Sequence, residues 1–170
     1  MLPKFFLVFI INFFSIIDKF GYLGLFFVSL LLNAFLIFIP SPLSVIVFAV
    51  SAKLNPLIVA IVVSVASSIG STTKYLIGLG GKEILQGKYE REMEKVRKAF
   101  EKYKFFWWII AINLTPFPDD PVSIFCGMVK YDFKKYFLAI LIGKLIFNSI
   151  VAYAGYYSIN SIVDLLQINI

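Results

Sequence analysis

A chain of 170 residues that is 60% hydrophobic and 18% aromatic, with a mean hydropathy of +0.89, is too apolar for a soluble domain. The length allows one membrane domain and no separate soluble one. The net charge of +6 does not point to nucleic acid, because half of the 16 basic residues sit in one connecting segment, as the positive-inside rule distributes them. A single cysteine, Cys126, excludes an intramolecular disulfide and a thiolate metal site, and the lack of histidine removes the usual near-neutral proton carrier.

In chain order, Leu2 to Ile17 is apolar and aromatic and stops at Asp18-Lys19-Phe20-Gly21. It resembles a signal peptide but no small-residue cleavage site follows, so it is read as part of the mature protein. Two readings stand for it, a short first span or an interfacial helix. Tyr22 to Ile39 is a second apolar run closed by Pro40-Ser41-Pro42, and Leu43 to Ala52 continues it for only ten residues. A spanning helix needs roughly 20 residues, so Pro40, Ser41 and Pro42 are expected at the tip of a broken hairpin. Leu57 to Gly78 is a 22-residue run rich in Ser, Ala, Gly and Thr, long enough to cross and small enough on one side for close helix approach. Lys74, near its end, is expected to snorkel to the interface.

Lys82 to Lys104 is the one strongly polar region, with eight basic and five acidic residues. Leu85, Tyr89, Met93, Val96, Phe100 and Tyr103 recur at helical spacing, which predicts an amphipathic helix lying on the membrane or packed on the bundle. Next come two apolar stretches, Phe105 to Leu114 and Val122 to Val129, separated by Thr115-Pro116-Phe117-Pro118-Asp119-Asp120-Pro121. Neither stretch can span, and the prolines remove backbone donors, so a second broken hairpin is predicted here. After the interfacial cluster Lys130 to Lys135, Tyr136 to Tyr157 is another 22-residue span, with Lys144 inside it, and residues 158–170 form a mildly amphipathic tail.

A shift of 79 positions superposes Pro42 on Pro121, Ser44 on Ser123 and the run 57–78 on 136–157. The predicted fold is therefore an all-α membrane protein of two inverted repeats. Each is a proline-broken re-entrant helical hairpin followed by a full transmembrane helix. The divisions are an N-terminal apolar helix 1–21, repeat 1 at 22–81, a cytoplasmic amphipathic helix 82–104, repeat 2 at 105–158, and a tail 159–170. Residues 82–104 with Lys130, Lys134 and Lys135 carry 11 basic residues, against Lys19 and Lys53 for the opposite loops, which puts the former in the cytoplasm. Inverted repeats with broken helices meeting near the midplane are a transporter architecture.

Acidic residues at membrane depth are functional candidates by default. Two adjacent carboxylates in low dielectric do not both ionise comfortably, so one of Asp119 and Asp120 is expected to titrate, as a proton site or a headgroup contact. The bland alternative is that they cap the following helix. Lys144 is either a partner for a carboxylate or phosphate, or a snorkelling lysine. Asn113 is expected at a polar contact between helices, with Pro118 and Pro121 shaping the tip. Asn113-Leu114-Thr115 matches a glycosylation sequon but lies within the membrane. Gly78, Gly80 and Gly81 follow no strand and form no phosphate loop. No nucleophile and base set and no metal-ligand spacing is present, so no covalent chemistry, cofactor or metal is expected.

Ile39-Pro40-Ser41-Pro42, Thr115 to Pro121, Gly127 and the span after it resemble the DedA family of VTT-domain membrane proteins, over roughly residues 20 to 158. The resemblance implies movement of lipids between leaflets, of a polyprenyl-phosphate carrier or a phospholipid, with proton coupling in some members; protons or sodium are the candidate coupling ions here. It also implies a multi-pass protein of a prokaryotic plasma membrane, with membrane lipids and a second copy of the chain as the expected partners. Acidic and arginine positions frequent in bacterial members correspond to Asn33, Pro42, Asn113 and Asp119 here, so the charged set is rewritten. The Thr-Pro-Phe run is closer to eukaryotic VTT proteins. The rival readings are an ion-coupled exporter of a small solute and a non-transporting membrane assembly factor.

Overall fold

The computed structural model describes residues 4–35, 43–85, 105–115 and 119–166. Among them the chain forms six helices and no strand: α1 Lys4–Phe35, α2 Leu43–Val50, α3 Pro56–Leu85, α4 Phe105–Asn113, α5 Asp120–Met128 and α6 Phe133–Leu166. The stretches Phe13–Ala34, Pro56–Gly81 and Phe133–Ile159 are long and apolar enough to cross a membrane. Helices α2, α4 and α5, at 8, 9 and 9 residues, are far short of the roughly 20 required.

The first of the long stretches is not straight. Gly21 has φ 56° and ψ −129°, backbone that glycine alone adopts without strain. A Cβ on Gly24 would lie 2.6 Å from the Ile16 carbonyl oxygen, although eight residues of straight helix span about 12 Å. The two limbs of α1 therefore fold against each other at the position where the sequence places a stop. The two predicted 22-residue spans fall inside α3 and α6. Helix α6 runs on unbroken to Leu166, through the start of the region set apart as a tail. Both long helices have side-chain caps. Asn55 Oδ1 accepts from the N–H groups of Leu57 (3.0 Å) and Ile58 (3.4 Å), and Asp132 Oδ1 from that of Lys135 (2.8 Å). Residues 86–104, Pro40 to Pro42 and Pro116 to Pro118 lie outside the described residues, and with them the first hairpin tip, the part of the second before Asp119, and the predicted amphipathic helix apart from residues 82–85, which continue α3.

Contacts along α3 and α6 fix their relative direction. Tyr75 stacks on Tyr136 (centroids 4.9 Å apart), the Lys144 Nζ reaches Ser71 and Ser67, and the Asn148 amide donates to Ser64 Oγ at 3.0 Å. As one helix ascends the other descends, so α3 and α6 are antiparallel. The short helices pack in exchange. Helix α5 lies along α3, and α2 lies along α6, each on the long helix of the other half of the chain, while α1 lies along α3 and α4 along α6. Glycines permit the crossed contacts. A Cβ on Gly127 would overlap the Tyr75 carbonyl oxygen, one on Gly78 that of Ile124, and one on Gly155 that of Phe48.

The apolar core is divided. One cluster joins Leu25, Val28 and Leu32 of α1 to Ile46 and Val47 of α2, Val59 and Val63 of α3, and Ala152 of α6. The other joins Tyr75, Ile109, Ile110, Cys126, Tyr131, Tyr136 and Ile140. Large apolar side chains, among them Leu23, Phe27, Val45, Leu57, Ile61, Ile69, Leu76, Trp107, Trp108 and Ile150, point outward instead. A surface of this kind is stable against lipid and not against water.

Candidate functional site

Between the two apolar clusters lies a layer of buried polar side chains. On α3 the lower core ends at Val63 and the upper begins at Tyr75. The interval carries Ser64, Ser67, Ser68, Ser71 and Lys74, all buried. On α6 the same interval, between Ile140 and Ala152, carries Lys144 and Asn148, also buried. Asn33 of α1 and Asp120 of α5 complete the layer. Serines at 64, 67 and 71 followed by Lys74 repeat at spacings of three and four, one face of a helix.

Two ion pairs organise the layer. Lys74 Nζ contacts Asp120 Oδ1, with the two side chains 2% and 4% exposed. Lys144 Nζ lies 3.1 Å from Asp119 Oδ2, with the side chains 10% and 15% exposed. Lys144 also donates to Asn33 Oδ1 at 3.0 Å, Ser71 Oγ at 2.7 Å and the Ser67 carbonyl at 3.4 Å. One ammonium thus ties together α1, α3, α6 and the residue that opens α5. Ser71 Oγ in turn donates to Asp119 Oδ2 at 3.4 Å, and the Tyr136 hydroxyl donates to the Ser71 carbonyl at 3.1 Å. The Ser68 hydroxyl has no hydrogen-bond partner among the described residues.

Asp119 and Asp120 do not confront each other as a bare pair, because each faces its own lysine. The capping alternative also fails for Asp119. It occupies the position before α5, but its side chain makes no cap hydrogen bond. Lys144 is a carboxylate partner and not a snorkelling lysine. Lys74 corrects the expectation that it reaches the interface: it is 2% exposed and turned inward. Its place on the serine face was the signal in the sequence, since a lysine on the close-packing side of a span cannot reach water. Asn148 and Ser71 carried the same signal and were not singled out.

Asn113 and Pro121 take no part in the two ion pairs. The Asn113 amide donates to the Ile109 carbonyl at 2.9 Å, and its Cβ abuts Gly143, making it a contact between α4 and α6. Pro121 is exposed in the first turn of α5. Pro40, Ser41, Pro42 and Pro118 lie outside the described residues. Among the described residues no group of His, Cys, Asp or Glu is arranged to hold a metal ion.

An apolar exterior, helices long enough to cross, and paired charges buried between the two apolar clusters define a multi-pass membrane protein with a polar centre. The VTT domain matches residues 39–157, more than half of the chain, and the chain belongs to that family, the DedA family of membrane proteins. It is also 25% identical to an uncharacterized protein of Methanocaldococcus jannaschii, over 81% of this chain and 85% of the relative. No solved structure matches.

Proposed function

We propose that the chain is a lipid translocase, moving a polyprenyl-phosphate carrier or a phospholipid between leaflets, and not an enzyme. The observation that carries the reading is the Lys144 node. Charged groups are costly at membrane depth and persist there for substrates, ions or relays. Here one lysine gathers groups from both halves of the chain in the interval between the two apolar cores.

Two hairpins entering from opposite faces would produce this convergence. The backbone N–H of Asn55 donates to the Tyr22 hydroxyl at 3.1 Å, so the first hairpin would begin and end at one face. Phe105 meets Tyr131 edge to face at 5.6 Å, a corresponding contact for the second. With α3 and α6 antiparallel, the two faces would be opposite. The headgroup would pass along the polar layer while its tail stays among the exposed apolar side chains.

The test is reconstitution. Purified protein in phosphatidylcholine vesicles should exchange labelled lipids between leaflets faster than protein-free vesicles, and Asp119→Asn should abolish the exchange without unfolding the protein. Equal rates with and without protein would remove the reading. A sodium or proton gradient imposed on the same vesicles identifies the coupling ion.

Orientation follows from the basic residues. Lys95→Cys and Lys134→Cys, each in a Cys126→Ser background, should react with an impermeant thiol reagent from the cytoplasmic side. Lys53→Cys and Leu165→Cys should react from the other side. Labelling of positions 53 and 95 from one side would overturn the opposed-hairpin arrangement.

A further inference from the structure

The two ion pairs differ in how firmly each carboxylate is held. Asp120 is the first residue of α5, next to Pro121, and pairs with Lys74 where both side chains are almost fully buried. Asp119 precedes the helix, caps nothing with its side chain, and is the more exposed carboxylate of the two. Withdrawal of its side chain would break no helix bond, since the Ser123 N–H donates to its backbone carbonyl.

The surroundings of Lys144 point the same way. An ammonium has three N–H donors, and among the described residues four acceptors lie around this one: Asn33 Oδ1, Ser67 O, Ser71 Oγ and Asp119 Oδ2. If Asp119 leaves, three acceptors remain for three donors, and all three are neutral. The hydrogen bonds would stay complete while the charge lost its compensation. A buried cation in that position requires another anion, because an uncompensated charge in low dielectric is costly. Lys74 is paired with Asp120, the first residue of α5, and both side chains are more deeply buried.

We infer that Asp119 is an exchangeable internal counter-ion that holds the place of a phosphate oxygen of the substrate on Lys144, so the protein selects lipids whose headgroup carries net negative charge. The inference rests on the translocase reading and names its substrate class. In the resting protein Asp119 closes the site. The phosphate takes its place on Lys144 and Ser71, and the return of Asp119 expels the phosphate. Asp120 and Lys74 hold α5 on α3 throughout.

The two halves of one ion pair should then change binding in opposite directions. With geranyl phosphate as the probe, titrated calorimetrically against detergent-solubilised full-length protein, Asp119→Asn should bind about tenfold tighter, since the internal competitor is gone. Lys144→Gln should bind at least about tenfold more weakly. In vesicles Asp119→Asn should nonetheless exchange no lipid, because nothing displaces the bound phosphate. Thermal unfolding of each variant, measured beside the titration, establishes that it is folded. The double variant Lys144→Gln/Asp119→Asn, which buries no unpaired charge, stands in if Lys144→Gln alone does not fold, and it should bind as weakly.

A merely structural pair predicts weaker binding in both single variants or no change in either, and either outcome overturns the inference. Absence of geranyl phosphate binding to wild type and to Asp119→Asn overturns it too. Inorganic phosphate binding as tightly as geranyl phosphate would assign the site to a soluble anion and overturn the lipid assignment. If the opposite shifts appear but wild-type vesicles exchange no lipid, the counter-ion exchange stands and the translocase reading falls.

Discussion

Replacing Lys74 by methionine is expected to destabilise the protein by about 3–5 kcal/mol, the usual cost of leaving one member of a buried ion pair alone. Methionine matches the length of the lysine stem, so packing on α5 is largely kept and the loss reports the charge. Asp120 would remain 3% exposed with its cationic partner gone. The double variant Lys74→Met/Asp120→Asn should recover most of the loss, because no buried charge is then left uncompensated. Reversible unfolding in mixed micelles, followed by circular dichroism, measures both. A single-variant cost below about 1 kcal/mol would mean the pair behaves as an exposed one, and the polar layer would then be wetter than its burial implies.

The second large effect is expected from a single methyl group. Gly127→Ala would drive its Cβ into the Tyr75 carbonyl oxygen and close to the Leu79 nitrogen, both backbone atoms that no rotamer change can move aside. Helices α3 and α5 must then separate, at about 1–3 kcal/mol by the usual cost of overpacking. The separation would also carry Asp120 away from Lys74, so on the proposed translocase reading lipid exchange should fall as well. Gly78→Ala, against the Ile124 carbonyl, should behave alike. Gly80→Ala is the internal control, on the same helix only two residues on, with nothing within 4 Å of the added atom. It should be neutral or slightly stabilising, by roughly 0.5–1 kcal/mol of recovered helix propensity. Equal effects at Gly80 and Gly127 would show that helix propensity and not the crossing governs this face.

How far the fold could be read in advance depended on length and polarity. Leu57 to Gly78 and Tyr136 to Tyr157 are long apolar runs, and α3 and α6 contain them, because lipid leaves a helix no other way to satisfy its backbone. The stop at Gly21 was legible for a local reason, a glycine after a charged pair. Asp119, Asp120 and Lys144 stood out because such residues are rare in apolar surroundings. Their pairing was not legible, since Asp120 and Lys74 are 46 residues apart and which partner a side chain meets is set by tertiary packing. Lys74 was misjudged for the same reason: its distance from the end of the run was visible, but the direction of its face was weighed too lightly. The exchange of α2 and α5 between the long helices left only a faint trace, at Gly78, Gly127 and Gly155.

That exchange has a consequence for biosynthesis. Helix α5 emerges after α3 and finds its partner already made. Helix α2 emerges early, yet the helix it lies along, α6, is completed about a hundred residues later, which at about 5–20 residues per second leaves it waiting for several seconds. During that interval an eight-residue helix, too short to cross, lacks α6 and has, among the described residues, α1 and α3 to pack on. Insertion therefore cannot finish half by half. The packing of α2 on α6 is complete only once Gly155 meets Phe48, and a chain halted before that point would leave the α6-facing side of α2 uncovered.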